Sequence, residues 1–296
     1  MPTYDRSVED LGNIVCLEHV NTRIPDQQPA TIFYLMGLGL TRDPYLMTGV
    51  TNMWVNVGRA QFHLPAGKAE VVRGHTGLVI PGRAALLKRL ESIKPMLENT
   101  RYAFEPRNDH VAVTCPWGNA IRVYEPGPRF GQMSLGMPYV ELNVPLGTAS
   151  GIVRFYKEFL TTPAKVVTDG GATCAHVMVG AGQELIYRET DTMQRDYDGH
   201  HVAIYISDFS GPHKKLLARG LVSEESDQHQ YRFKDIIDPE TDRHLFTIEH
   251  EVRSMRHPLY ARPLVNRNPA QTNRSFAPGH EEAPFALPAM AMPAMA

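Results

Sequence analysis

One order of elements recurs along this chain, and that repetition restricts what it can fold into more than any single motif does. His19 is followed 14 positions later by Phe33-Tyr34, and Glu141 is followed by Phe155-Tyr156 at the same interval. Gln61 lies 42 positions after His19, and Glu184 lies 43 after Glu141. Arg122 lies 47 after His75, and Glu249 lies 48 after His201. A chain that repeats at fixed spacing is built by stacking or pairing one supersecondary unit.

The unit can be read directly. Residues 14–24 have strand composition, 29–40 carry Ile32, Phe33, Leu35 and Met36 at helical spacing, and 53–57 and 60–64 are strands joined at Gly58-Arg59. A second unit has a strand at 74–81, a helix at 83–94 stopped by Pro95, and strands at 111–114 and 120–124. The third has a strand at 139–145, a helix at 150–160, and strands at 173–179 and 184–188. The fourth runs through 201–206, a helix at 211–219, and strands near 231–233 and 244–251. The fold class is therefore α+β, with four βαβββ modules. Paired in chain order, they give a lead-in (1–13), an N-terminal domain (14–128), a linker (129–137), a C-terminal domain (138–253), and an arm with a low-complexity tail (254–296). Strands paired this way curl into a cup whose inward side chains converge at its floor.

Bulk properties exclude several classes. Thirty Lys and Arg against 32 Asp and Glu leave a net charge of −2 with no basic stripe, so nothing recruits nucleic acid or an anionic membrane. The apolar runs are short and interrupted, and the N-terminus lacks the order of a signal peptide. Cys16, Cys115 and Cys174 have no paired spacing and read as small buried hydrophobes. A soluble cytoplasmic protein with a small-molecule substrate is the expectation. After Glu251, repeated Pro makes an extended arm carrying Arg253, Arg256, Arg262 and Arg267, through which a homo-oligomer could form. Residues 284–296 are an Ala/Met/Pro tail expected to lack fixed structure.

The candidate chemistry centres on Asp198-Gly199-His200-His201, a turn leading into the apolar strand 202–206. Neutral imidazole is a common metal ligand and acid–base group. The plainer reading is a pair of polar residues at a strand start.

With the repeat beside it, the chain resembles the vicinal-oxygen-chelate superfamily, which includes glyoxalase I, resistance proteins and extradiol ring-cleaving dioxygenases. The cues are the first-strand residue followed 14 positions on by Phe-Tyr, the His-opened strand at 201, and Asp238-Pro239-Glu240-Thr241 leading to Ile248-Glu249. The resemblance implies a metal held by first-strand and last-strand residues of two adjacent modules. Carried over, it names Glu141, Glu184, His201 and Glu249 in the second half, with His19, Gln61, His75 and Arg122 as first-half equivalents. Three carboxylates and one imidazole suit Fe²⁺, Mn²⁺, Ni²⁺ or Zn²⁺. Arg122 would repel a metal, so the second half is expected to carry the ion and the first half to be a scaffold. In that frame His19 and His75 are hydrogen-bonded interior residues, and Trp54 and Trp117 are core.

Two reactions fit this resemblance. In a glyoxalase-type isomerase or lyase, Glu141 is the proton-accepting carboxylate. In an extradiol dioxygenase, His200, His229 or Tyr231 assists proton movement, although surface or packing roles are the plainer reading of His229 and Tyr231. Extradiol enzymes use two His and one carboxylate, whereas this set has Glu141 (or Tyr139) at the first position, so ligand identity leans to the isomerase. A metal-free binding protein using the cup as a pocket is the third class.

Overall fold

A computed structural model describes residues 4–46, 49 and 51–266. Arg267 of the arm and the tail 284–296 lie outside them. In the first module, β1 (Ile14–Asn21) leads to α1 (Gln27–Ala30), which continues as a wider-turned helix over Thr31–Gly37. Asp26 starts that helix by accepting the Gln28 N–H at 2.8 Å, three residues before the expected start at Pro29. The module closes with β2 (Thr41–Arg42), β3 (Asn52–Val57) and β4 (Ala60–Pro65). The second module is β5 (Gly74–Val79), α2 (Arg83–Ile93), β6 (Ala103–Pro106), β7 (Val111–Thr114) and β8 (Ala120–Tyr124). The third is β9 (Gly136–Pro145), α3 (Ala149–Phe159), β10 (Ala164–Asp169), β11 (Ala172–Gly180) and β12 (Gln183–Thr190). The fourth is β13 (His201–Ile206), α4 (Ser210–Ala218), β14 (Val222–Asp227), β15 (Gln230–Ile237) and β16 (His244–Ser254). This is the α+β architecture of four βαβββ modules.

The pairing of modules differs from chain order. One eight-stranded sheet runs β14-β15-β16-β13-β1-β4-β3-β2, and the other runs β10-β11-β12-β9-β5-β8-β7-β6. The first module therefore shares a cup with the fourth, through antiparallel β1 and β13, and the second shares one with the third, through β5 and β9. The expected domains 14–128 and 138–253 are corrected on this point: each cup takes one module from each half. Within every module the first and last strands are parallel neighbours, pairing His19 with Gln61, His75 with Ala120, Glu141 with Ile186, and His201 with Glu249.

The helices cover the convex faces. Phe33, Tyr34, Phe155 and Tyr156 are all buried there, which explains the repeated Phe-Tyr pair as a packing device. The Tyr156 hydroxyl also meets Tyr187 Oη and, at 2.5 Å, His250 Nε2. No helix among the described residues is long and apolar enough to cross a membrane.

Close approach of β5 to β9 depends on Gly74, whose φ of +153° lies in the region that favours glycine. A Cβ there would stand 1.9 Å from the Glu141 carbonyl oxygen, a backbone atom that cannot step aside. Gly74→Ala should cost about 1–3 kcal/mol in chemical denaturation. An unchanged midpoint would show that the junction of this cup tolerates a side chain.

Candidate metal centre

The four carried-over ligands do not meet. Glu141 and Glu184 stand in the sheet of the second and third modules, whereas His201 and Glu249 stand in the other sheet. Glu141 is held by Arg188, with Nε to Oε1 at 2.8 Å, and Glu184 by His176 Nδ1 at 3.1 Å. Neither can share an ion with His201. A site drawn from those four second-half residues is therefore not assembled.

Instead, β1, β4, β13 and β16 bring His19, His63 and His201 together, with one nitrogen of each within 4.8 Å of the others. Alternation explains the set. His19 and His201 are inward residues of the two central strands, and His63 and Glu251 each lie two positions past the residue paired with them. The ring centroids of His19 and His201 are 5.6 Å apart, and those of His19 and His63 are 5.4 Å apart. Trp54 stacks on His63 at 3.8 Å and meets His19 edge-on, so it is a wall of the site as well as a packed residue. His19, expected to be a hydrogen-bonded interior residue, is buried and bonded through one nitrogen only. Nδ1 donates to Glu18 Oε2 at 2.8 Å, and Nε2 is buried without a hydrogen-bond partner. His201 Nε2 is likewise without one.

Two register shifts of β1 against β13, one between Leu17 and His19, turn both Glu18 and His19 toward the site. Glu18 also accepts from Tyr205 Oη at 2.9 Å and is bound by Arg253. Glu251 lies 3.4 Å from His201 Nε2, with Arg253 on one oxygen and Arg232 on the other, each at 2.5 Å. Glu249, the expected ligand, has Arg232 on Oε1 at 2.6 Å and Lys234 3.4 Å from Oε2, while His201 Nδ1 stands 3.5 Å from Oε1. Burial alone would raise the Glu251 carboxyl, but the His201 ring nitrogen 3.4 Å away and the charges of His19 and Arg253 hold it far below the ordinary carboxylate range. Burial lowers His201 below the ordinary imidazole value, so its ring is neutral near pH 7. His63 is pushed down to about 2, by burial first and by its His neighbours next. The Asn21 amide donates to its Nδ1 at 2.8 Å, and its Nε2 donates to Asn52 Oδ1 at 2.8 Å.

The remaining expected catalytic residues fall elsewhere. His200 faces away from His201, bonds Asp198 through Nδ1 at 2.6 Å, and keeps a buried Nε2 without a partner. His229 is a turn residue whose N–H donates to Asp227 at 2.6 Å. Tyr231 is core, packed on Phe209 and His213. Gln61 is engaged by Asn56 and Asp43, the latter also bound by Arg262 at 2.7 Å. The arm thus closes the Gly58 end of this cup, where Asn266 also binds the Gly58 N–H and carbonyl at 3.0 Å each.

Sequence reasoning missed His63 and ranked Glu249 ahead of Glu251 for one reason: in a strand, residues two apart share a face, so spacing alone does not choose between 61 and 63 or between 249 and 251.

No family model matches this sequence, and no curated protein matches it either. Solved structures do. A proposed dioxygenase of Bacillus subtilis subsp. subtilis str. 168 is similar with a TM-score of 0.54 at 15% identity, covering 82% of this chain and 86% of that one. Glyoxalase I of Zea mays is similar with a TM-score of 0.51 at 14% identity, covering 80% and 92%. At such identities the likeness speaks for architecture. The four modules, their parallel first and last strands and these neighbours together give the chain the paired-module fold seen in those two structures.

Proposed function

We propose that the cup of the first and fourth modules is the active site of a divalent-metal enzyme whose small substrate chelates the ion through vicinal oxygens. One observation carries this reading: two buried imidazoles, His19 and His201, face each other with Nε2 atoms that make no hydrogen bond, that of His201 standing 3.4 Å from the Glu251 carboxylate. Leaving such atoms bare in a dry interior costs about 1–3 kcal/mol each, which a bound cation would offset. Glu18 on His19 Nδ1 fixes the tautomer that keeps Nε2 as the free electron pair, the arrangement that metal-ligating His normally has. His63 supplies a third nitrogen once Asn21 releases it, and Glu251 supplies a carboxylate oxygen beside His201.

The ion, Fe²⁺, Mn²⁺, Ni²⁺ or Zn²⁺, would supply Lewis acidity to two adjacent substrate oxygens. Around it the chain's own charges cancel, with Glu18, Glu249 and Glu251 set against Arg232, Arg253 and Lys234. A dication held by neutral imidazoles therefore gains from a substrate whose oxygens arrive or become ionised. Arg232 and Arg253 keep Glu251 deprotonated and oriented, and Trp54 excludes water from one side.

Of the two reactions, the site favours dioxygenase chemistry. While Asn21 holds His63, the set is His19, His201 and Glu251, and two His and one carboxylate with open positions are the usual ligands of non-haem Fe²⁺ oxygenases; the carboxylate-rich set that leaned to an isomerase is not assembled. Metal analysis of the purified protein with an oxygen-uptake assay on catechols tests this. Bound iron and oxygen consumption are expected; Ni²⁺ or Zn²⁺ with none would return the reading to the isomerase. Glu18→Gln should weaken metal binding about 10–100-fold while leaving the fold intact. Equal affinity in a competition titration would remove Glu18 from the account.

A further inference from the structure

The other cup carries a different chemistry at the same four positions. Where the first cup has His19 and His201 on its central strands, the second has His75 and Glu141, paired with each other across β5 and β9. Where the first has His63 and Glu251 two places past the strand partners, the second has Arg122 and Arg188. Two guanidiniums stand where two donors would be, so the donor set does not fit a cation. Arg188 is already committed, bidentate to Glu141 at 2.8 and 3.3 Å and bound also by Asp169. Arg122 is exposed, and its guanidinium makes no hydrogen bond or ion pair among the described residues. The acids on its rim are engaged by others, Glu105 by Arg107 at 2.5 Å and Asp109 by His110 at 2.7 Å.

We infer that this second cup is a metal-free site for a small molecule, which it takes through a carboxylate placed on Arg122. The cleft measures about 700 Å³, ample for such a ligand, and His75, Phe104, Arg122, Asn143 and Arg188 are among its lining residues. A guanidinium offers two parallel donors to a planar carboxylate. One uncompensated positive charge matches one negative charge, whereas a phosphate dianion would leave a surplus beside Glu141. His75 supplies the second contact. Burial, then the charges of Arg122 and Arg188, push it down to about 3, so it is neutral. Its Nε2 shares a hydrogen bond with Tyr139 Oη at 3.0 Å, and Tyr139 shares another with Tyr124 at 2.8 Å; with Tyr139 donating to the ring, the proton sits on Nδ1, which stands 3.7 Å from Glu141 Oε1. Gly77 makes this relay possible, since a Cβ there would stand 2.3 Å from the Tyr139 ring. Phe104, Ala112 and Ala120 give the ligand's body an apolar wall.

Calorimetric titration of the full chain with benzoate, in EDTA, tests the site apart from any metal. Saturable binding at one site per chain is expected, weakened about tenfold or more in Arg122→Gln and less in Arg122→Lys. Because Arg122 is exposed, the fold should survive either change. No binding, equal binding by Arg122→Gln, or tighter binding of inorganic phosphate than of benzoate would each overturn the inference.

Discussion

His201→Ala should lose its metal through purification, while His75→Ala keeps it at the wild-type level. The two histidines occupy the same place in their modules, at the start of a central strand beside a parallel last strand. What differs is their company. His201 Nε2 has no hydrogen-bond partner and looks toward His19. His75 Nε2 already has a phenol, and its neighbours are guanidiniums. Removing one of so few nitrogen donors should weaken binding by more than about a hundredfold, since the hydrogen-bond partners that orient ligating histidines are alone worth about 10–100-fold. His19→Ala should behave like His201→Ala, and Glu184→Ala like His75→Ala. Metal content measured beside circular dichroism separates ligand loss from unfolding. Retained metal in a folded His201→Ala protein would place the centre elsewhere.

That comparison marks how far the amino-acid order can be read. The modules were legible because each is local: a Phe-Tyr pair on a helix 14 residues past a strand is a packing signature written within one unit. The strands that escaped notice, β2, β6, β10 and β14, are edge strands. Val222–Asp227 reads Val-Ser-Glu-Glu-Ser-Asp and is mostly exposed, so no apolar alternation advertises it. Which module pairs with which was not legible, because β1 and β9 present equivalent edges to β13 and β5. Each local repeat is satisfied by either arrangement. The error carried into the site. Pairing in chain order gathers Glu141 and Glu184 with His201, whereas crosswise pairing puts His19 there instead. The choice between Glu249 and Glu251 turned on two positions of one strand face, and Arg232, which grips both, is a residue that periodicity does not single out.

Arg253→Met should be among the most destabilising single changes in the chain, at about 3–5 kcal/mol. The sequence places Arg253 on the extended arm, yet it lies within β16, next to its last residue, with only 7% of its side chain exposed. It bridges Glu18 and Glu251, and Gln230 accepts from its Nε at 3.0 Å. Methionine keeps the stem's volume but leaves two buried carboxylates sharing one fewer cation. The pH dependence gives the cause away. Burial raises Glu18, but the His19 hydrogen bond, the charges of His19 and Arg253, and the Tyr205 hydroxyl bring it below its ordinary value; Glu251 is lowered as well. A carboxyl whose folded value is depressed contributes stability above its unfolded value, about 4.3, and loses it as pH falls through the folded one. The wild-type protein should therefore hold this contribution well into acid. In Arg253→Met both carboxyls rise, and the acid-unfolding midpoint moves up. Adding Glu18→Gln should restore much of the loss, because the surplus charge is then gone. If the double variant is as unstable as the single one, the cost lies in packing of the Arg253 stem instead of in its charge.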